Sequence, residues 1–267
     1  MRTTVIERFD SIGEFCAALD KLPTEGQYKR NSNNEWCGGT YDEARRDVMT
    51  GHLDVVPRAN ALVDKLVGEG VELEASVWEQ SVAGYLPCVP AYLSGAPDCM
   101  FNQNKVPSET APVRIYASCC CSAGVDVEDL EKRGTTILAL AMKLTAIRPV
   151  ELYVYADMGG TGYALMPCMK IETSPLDLAS ATYAMSHAAF LRRLCFVWAE
   201  QYKWEGSWAW ELDPTSDKAQ AKTRAALGLT DDDLLICGGY SADPLIEQPV
   251  EWLNEQVSKF IKEHEYA

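Results

Sequence analysis

The sequence predicts an α/β fold: a mostly parallel sheet with helices on both faces, preceded by a helical and irregular N-terminal region. Three observations carry this. From residue 112 onward, short runs rich in Val, Ile, Leu and Tyr alternate with segments of helical period, the pattern that crossovers between parallel strands produce. The 267 residues are 47% hydrophobic and 24% charged, enough apolar mass for one large domain or two small ones. Short loops follow three of the strand candidates, where such a sheet places its ligand loops.

Taken in order, Phe9, Ile12, Phe15, Cys16 and Leu19 have helical spacing over 9–20, with Asp10 or Ser11 as cap. Thr40 and Glu43 have capping-box spacing, so a helix should start near Tyr41 and stop at Gly51. Val56, Ala59, Leu62, Val63, Leu66 and Val67 form one stripe over 55–69. Residues 71–82 suit an extended segment. The stretch 86–101, with three prolines and no helical period, reads as irregular with short extended pieces. The polar run at 102–110 reads as an exposed loop.

Beyond it, 113–118 is a strand candidate. Residues 126–147 form a helix with an acidic start, ended by Arg148-Pro149. Strands follow at 150–157 and 163–172, joined by the loop Gly159-Gly160-Thr161-Gly162. A single helix is expected from Ser174 to about Tyr202, with Pro175 at its first position. A tryptophan-rich stretch leads to a helix over 214–227 closed by Gly228, a strand over 233–239 and an amphipathic helix over 249–264. The expected division is 1–111 and 112–267.

Charge and composition narrow the function. The net charge is −15 and the basic residues are scattered, so nucleic acid is not an expected partner. The acidity promotes solubility and suits a docking face for a basic partner or mimicry of nucleic acid. No run approaches the roughly 18 apolar residues of a membrane span. The opening MRTTVIERFD lacks the apolar stretch of a secretion signal. This predicts a cytoplasmic chain whose ten cysteines stay reduced.

The loops after the strand candidates are where function would be built. The first reads Ser118-Cys119-Cys120-Cys121-Ser122; the others are DMGGTG after the second strand and GGYSADP after the last. The five-residue spacing resembles the Asp-x-Ser-x-Ser loop of von Willebrand factor A-type domains. The strand, loop and long helix also look like the core of cobaltochelatase-subunit-type A domains, over about 112–264. The resemblance implies an A-type fold with a magnesium site completed by a Thr and an Asp on other loops. The matching candidates are Ser118, Cys120, Ser122, Asp157, Thr161 and Asp243. The departures are Ser118 at the motif's Asp and Cys120 at its first Ser. Magnesium prefers carboxylate and hydroxyl oxygens, so a degenerate loop without metal or other cofactor is expected. Three adjacent thiols do not converge on zinc, because consecutive side chains point apart. They read instead as packing in a tight strand-to-helix turn.

No nucleophile elbow, phosphate loop or dinucleotide fingerprint occurs. His187, within an apolar helix, reads as a core histidine. The tryptophans at 204, 208 and 210 are interface candidates, or else cover the sheet edge. A second resemblance spans most of the chain. Phe9-Asp10-Ser11, Trp36, Gly38-Gly39-Thr40, Glu43-Ala44, Gly95, Pro97 and Met100 look similar to a family of uncharacterised proteins from tailed bacteriophages and some bacteria. It implies a viral or mobile-element origin, a site of action in the host cytoplasm, and no transferable catalytic residue. The sequence therefore predicts a non-catalytic accessory protein that binds a phage or host protein. The rivals are a magnesium-dependent adhesion module or enzyme using Ser122, Asp157 and Asp243, and a virion-associated structural protein.

Overall fold

Glu7 and Arg8 break the apolar pattern near the N-terminus, yet Thr3–Phe9 forms a strand, β1. Both charged side chains find partners on neighbouring elements, Glu7 half-buried and Arg8 exposed, which is why polarity alone hides the strand. Glu7 Oε2 accepts from Trp198 Nε1 at 2.8 Å, and Arg8 donates to the Leu227 carbonyl. The computed structural model describes residues 3–23, 26, 33–66, 77–82, 86–87, 89–104, 112–122, 124–145, 149–160, 163–203, 216–240 and 242–262.

Helix α1 (Ile12–Asp20) is capped by Ser11, whose hydroxyl accepts from the Glu14 N–H at 3.0 Å. Phe9 ends the strand rather than starting the helix. The short α2 (Asn34–Cys37) precedes α3 (Tyr41–Asp47). The capping box at α3 is complete: Thr40 Oγ1 accepts from the Glu43 N–H, and Glu43 accepts from the Thr40 N–H. A turn of 3₁₀ helix at Leu53–Val55 leads into α4 (Val56–Lys65).

The chain divides into two compact units, one of them Gly68–Ala111. In it β2 (Val77–Ser81), β3 (Leu86–Pro87) and β4 (Met100–Asn104) form an antiparallel sheet in the order β2-β4-β3. Helix α5 (Val89–Leu93) joins β3 to β4 in sequence. The polar loop expected over 102–110 is strand as far as Asn104, and its remainder lies outside the described residues. Asn102–Asn104 are strand residues because they pair with Val77–Glu79 of β2, and this main-chain pairing outweighs the poor strand propensity of Asn.

The other unit is Met1–Val67 with Pro112–Ala267, so the N-terminal segment and the C-terminal part share one body where the sequence reading drew a boundary. It continues with β5 (Val113–Ser118), α6 (Val127–Thr145), β6 (Val150–Tyr155), β7 (Met158–Gly160) and β8 (Tyr163–Ile171). Then come α7 (Leu178–Ser186), α8 (Phe196–Glu200), α9 (Asp217–Leu227), β9 (Leu234–Ile236), α10 (Pro244–Glu247) and α11 (Pro249–Lys262). The main sheet has the order β1-β8-β6-β5-β9, with β7 folded back on β8. Three of its four neighbouring pairs are parallel; β6 and β8 are antiparallel. That pair is joined by a short connection, which a parallel crossover cannot use.

Alternate strand residues serve two cores. Ile115, Leu152, Val154, Leu165 and Met169 pack with α6, α7 and α11. Tyr116, Tyr155, Met166 and Cys168 pack with Leu227 of α9 on the opposite face. Helices therefore cover both faces. Gly134 lets α6 approach α7: a Cβ there would lie 2.6 Å from the Met185 carbonyl oxygen.

The single helix expected over 174–202 is instead divided. Ser174-Pro175 is a cis peptide in a turn, and the helix starts at Leu178 with Asp177 accepting from the Ser180 N–H at 3.0 Å. His187 is extended (φ −114°, ψ 124°), and its ring nitrogen accepts from the Ala189 N–H. The chain resumes as a π-helical turn over Phe190–Cys195 and then α8. No Gly or Pro marks this break, so helical period runs through it in the sequence.

Candidate functional site at the carboxyl ends of the strands

β5 lies between β6 and β9, all three running the same way, so their following loops meet. The ladder continues past the strands. The Cys119 N–H donates to Tyr155 O at 2.9 Å; on the other side the Gly239 N–H donates to Cys120 O at 2.9 Å and the Ser122 N–H to Gly239 O at 2.8 Å. Held between two neighbours, the cysteine run follows the sheet, and Cys119 and Cys120 both join the core beneath it.

The structure brings most of the predicted candidates into these loops and gives them internal partners. Ser118 is buried, and its hydroxyl accepts from the Cys120 N–H at 3.1 Å. Cys120 ties β5 to β6: its sulfur accepts from the Asp157 N–H at 3.2 Å and its thiol donates to Asp157 O at 3.6 Å. Asp157 thus joins the site through its backbone, with its side chain half-buried. Ser122 is exposed, and its hydroxyl accepts from the Gly124 N–H. Asp243 is buried and caps α10, accepting from the Leu245 N–H at 3.0 Å. Thr161, Trp204, Trp208 and Trp210 lie outside the described residues.

The group at the centre, Arg133 of α6, escaped the sequence reading. It is fully buried. Its Nε donates to Asp243 Oδ2 at 3.1 Å, Nη1 to Ser118 O at 2.9 Å, and Nη2 to Cys237 O. One guanidinium therefore ties the end of β5, the end of β9 and the cap of α10. Gly239 makes room: a Cβ there would lie 2.7 Å from Arg133 Cδ and 2.9 Å from Cys121 Sγ. A signal existed. Leu130, Arg133, Ile137, Leu140 and Leu144 lie along one helical stripe, and a charge on a buried stripe needs a partner.

This arrangement bears on chemistry. Both Asp243 oxygens are engaged, by Arg133 and by a backbone N–H, and the Ser118 hydroxyl already accepts a backbone bond. Neither residue offers a magnesium ion the free oxygens it wants. Among the described residues, no group of three or more His, Cys, Asp or Glu side chains is placed to hold a metal. Burial pushes the Cys119 thiol well up; hydrogen bonding to Cys119, then burial, does the same for Cys120. Burial also raises Cys121, against the opposing pull of Arg133. Such thiols stay protonated near neutral pH and are poor nucleophiles.

The histidines pair with each other. His52 and His187 lie edge-on, 5.4 Å between ring centres, and His187 stacks on Tyr183. Ser186 donates to Thr182 O at 2.6 Å, so its oxygen receives the His52 Nδ1 proton at 3.0 Å. Fully buried and already donating, Ser186 is structural.

No described helix is long and apolar enough to cross a membrane. The chain belongs to a family defined as a domain of unknown function, DUF7192, whose model matches residues 2–255. No curated protein matches the chain, and no solved structure matches it.

Proposed function

We propose that this is a non-catalytic binding protein on a degenerate A-type unit, which holds a protein partner without a divalent ion. Arg133 is the observation that carries the reading. A fixed guanidinium neutralises Asp243 and gathers the β5 and β9 loops, a task that a metal ion would otherwise perform from outside. Thiols raised by burial and a Ser–His contact with a committed hydroxyl favour binding over covalent catalysis. The net charge of −15 suits a basic partner. The likeness of the N-terminal motifs to tailed-phage proteins directs the search to phage-encoded and host proteins in the infected cytoplasm.

Pull-down from infected cells with mass spectrometry tests this directly. A specific protein is the expected product; recovery of only nucleic acid or a small metabolite would count against it. Magnesium titration separates the metal-dependent rival. An ion at a hundred times its Kd would add about 2.7 kcal/mol, roughly 5–10 °C in Tm for a chain of this size. No such rise is expected. A rise of that size, lost in Asp157→Ala, would establish the rival.

A further inference from the structure

Among the described residues of the larger unit, three large apolar side chains stand in solvent: Met49 at 54% exposure, Leu53 at 50% and Val127 at 65%. Single exposed apolar residues are ordinary; these three are neighbours. Met49 and Leu53 lie on either side of His52, in the turn that leads from α3 to α4. His52 Nε2 lies 3.6 Å from one Glu131 oxygen, and Arg58 of α4 closes on the other at 2.7 Å. Val127 stands one helical turn before Glu131 on the same face of α6. The three side chains therefore share a ridge, where the turn meets the start of α6.

The turn is held firmly. Gly51 is left-handed (φ 82°) and presses on α7: a Cβ there would lie 2.6 Å from Ala179 Cα. The His52 N–H donates to Thr182 Oγ1 at 3.0 Å, and the His52 ring is tied to Ser186. A fixed backbone thus presents Met49 and Leu53 outward, which spares a partner the cost of ordering them.

Charge selects the occupant. Each exposed apolar residue has acidic neighbours: Asp47 near Met49, Asp54 beside Leu53, Asp126 and Glu128 on either side of Val127. With Asp129 and Glu131 the ridge holds six carboxylates against three cations, Arg46, Arg58 and Lys132. Asp47 takes Arg46, Glu131 takes Arg58, and Glu128 and Asp129 share Lys132. Asp54 and Asp126 are exposed and make no ion pair among the described residues. Pairing therefore leaves a surplus of negative charge around an apolar centre.

We infer that this ridge is where the partner docks, through a segment whose apolar side chains are bordered by Lys or Arg. This rests on the protein-binding reading above. A second copy is a poor occupant, because two acidic ridges would face each other.

The test uses the full chain and three short fluorescent peptides in anisotropy titrations. One carries Leu at helical spacing with Lys between, one replaces its Lys with Glu, and one replaces its Leu with Ser. The Leu–Lys peptide should bind, and the other two at least about tenfold more weakly. Met49→Ser with Leu53→Ser should weaken Leu–Lys binding by about tenfold. Asp54→Asn with Asp126→Asn should weaken it by about threefold. These positions are exposed, and Asn caps a helix as Asp does, so Tm should not change. Asp231→Asn with Asp232→Asn removes the same charge before the amino end of β9 and should leave binding unchanged. No binding of the Leu–Lys peptide, equal binding of the Leu-free peptide, or full binding by the serine variant overturns the inference. So does an equal loss in the Asp231 and Asp232 control, a lowered Tm in the serine variant, or a dimer in light scattering that this variant dissolves. In the pull-down, the captured protein should be lost with the serine variant. Its retention overturns the ridge and leaves the protein-binding reading standing; capture of no protein by the native chain overturns that reading.

Discussion

On the face turned toward α6, the main sheet presents Ile115, Ala117, Leu152, Val154, Leu165 and Met169, all essentially without exposure. On the opposite face the same strands present Tyr116, Tyr153, Tyr155, Cys168 and Lys170. There Tyr116 and Tyr153 stack at 4.5 Å with planes 6° apart. The Lys170 ammonium sits 2.8 Å from Glu151 and over the Tyr153 ring. Burial raises the Tyr153 hydroxyl, with Glu151 second, so the ring stays neutral beside its charged neighbours. One face is held by volume and close packing, the other by pairing amphipathic side chains. The first should be intolerant of lost atoms; the second should tolerate lost charges. Arg133 is the exception that joins them, a fully buried cation at the end of the apolar layer.

The largest effect is expected there. Arg133→Met leaves the Asp243 carboxylate buried without its cation and should cost about 3–5 kcal/mol in urea unfolding. Adding Asp243→Asn should restore part of that loss. A single-variant loss under about 1 kcal/mol would show that the pair is not what holds the loops. Next, Leu138→Ala on the buried face of α6 should cost about 3 kcal/mol, and a smaller loss would mean that the layer collapses around the gap.

The third effect is pH-dependent. Burial, and after it His52, holds the His187 imidazole below its ordinary value of 6.5. The unfolded chain then takes the proton first. Stability from this group is intact above about pH 6.5 and falls as pH drops below it, by at most about 1.4 kcal/mol per pH unit. His187→Gln should flatten the Tm profile between pH 7 and 5; an unchanged slope would assign the loss to other groups. The smallest effect belongs to the polar face. Lys170→Met removes a half-exposed ion pair and should change stability by less than about 1 kcal/mol. A larger loss would erase the distinction between the faces.

Much of the frame was legible in the residues. The capping box at Thr40 and Glu43, the Ser11 cap, Gly228 as the left-handed end of α9 and the apolar stripe of α11 were all readable. So were the strands at 113, 150 and 163 and the convergence of loops after the first, second and last strand candidates. β1 was missed because Glu7 and Arg8 read as surface residues, and α2 because four residues carry no period. The break at His187 left no trace because both of its sides are apolar. At the site, Ser118, Cys120, Asp157 and Asp243 were named as residues of a degenerate ligand loop, and their internal hydrogen bonds were not foreseen, while Arg133 passed as one more charge near a helix start.

What the sequence by itself determined is the class of fold, the caps at Ser11, Thr40 and Gly228, and the order of the longer strands and helices from β5 onward, short of β7, the break at His187 and α10. These depend on residues a few positions apart, whose steric and hydrogen-bonding preferences act before any tertiary contact exists. Only the tertiary structure decided that β1 pairs beside β8, that Arg133 finds Asp243 across 110 positions, and that β9 is the last described strand beyond β5. Those outcomes depend on distant partners: a buried charge or an end strand acquires meaning from what packs against it, and local pattern carries no record of that.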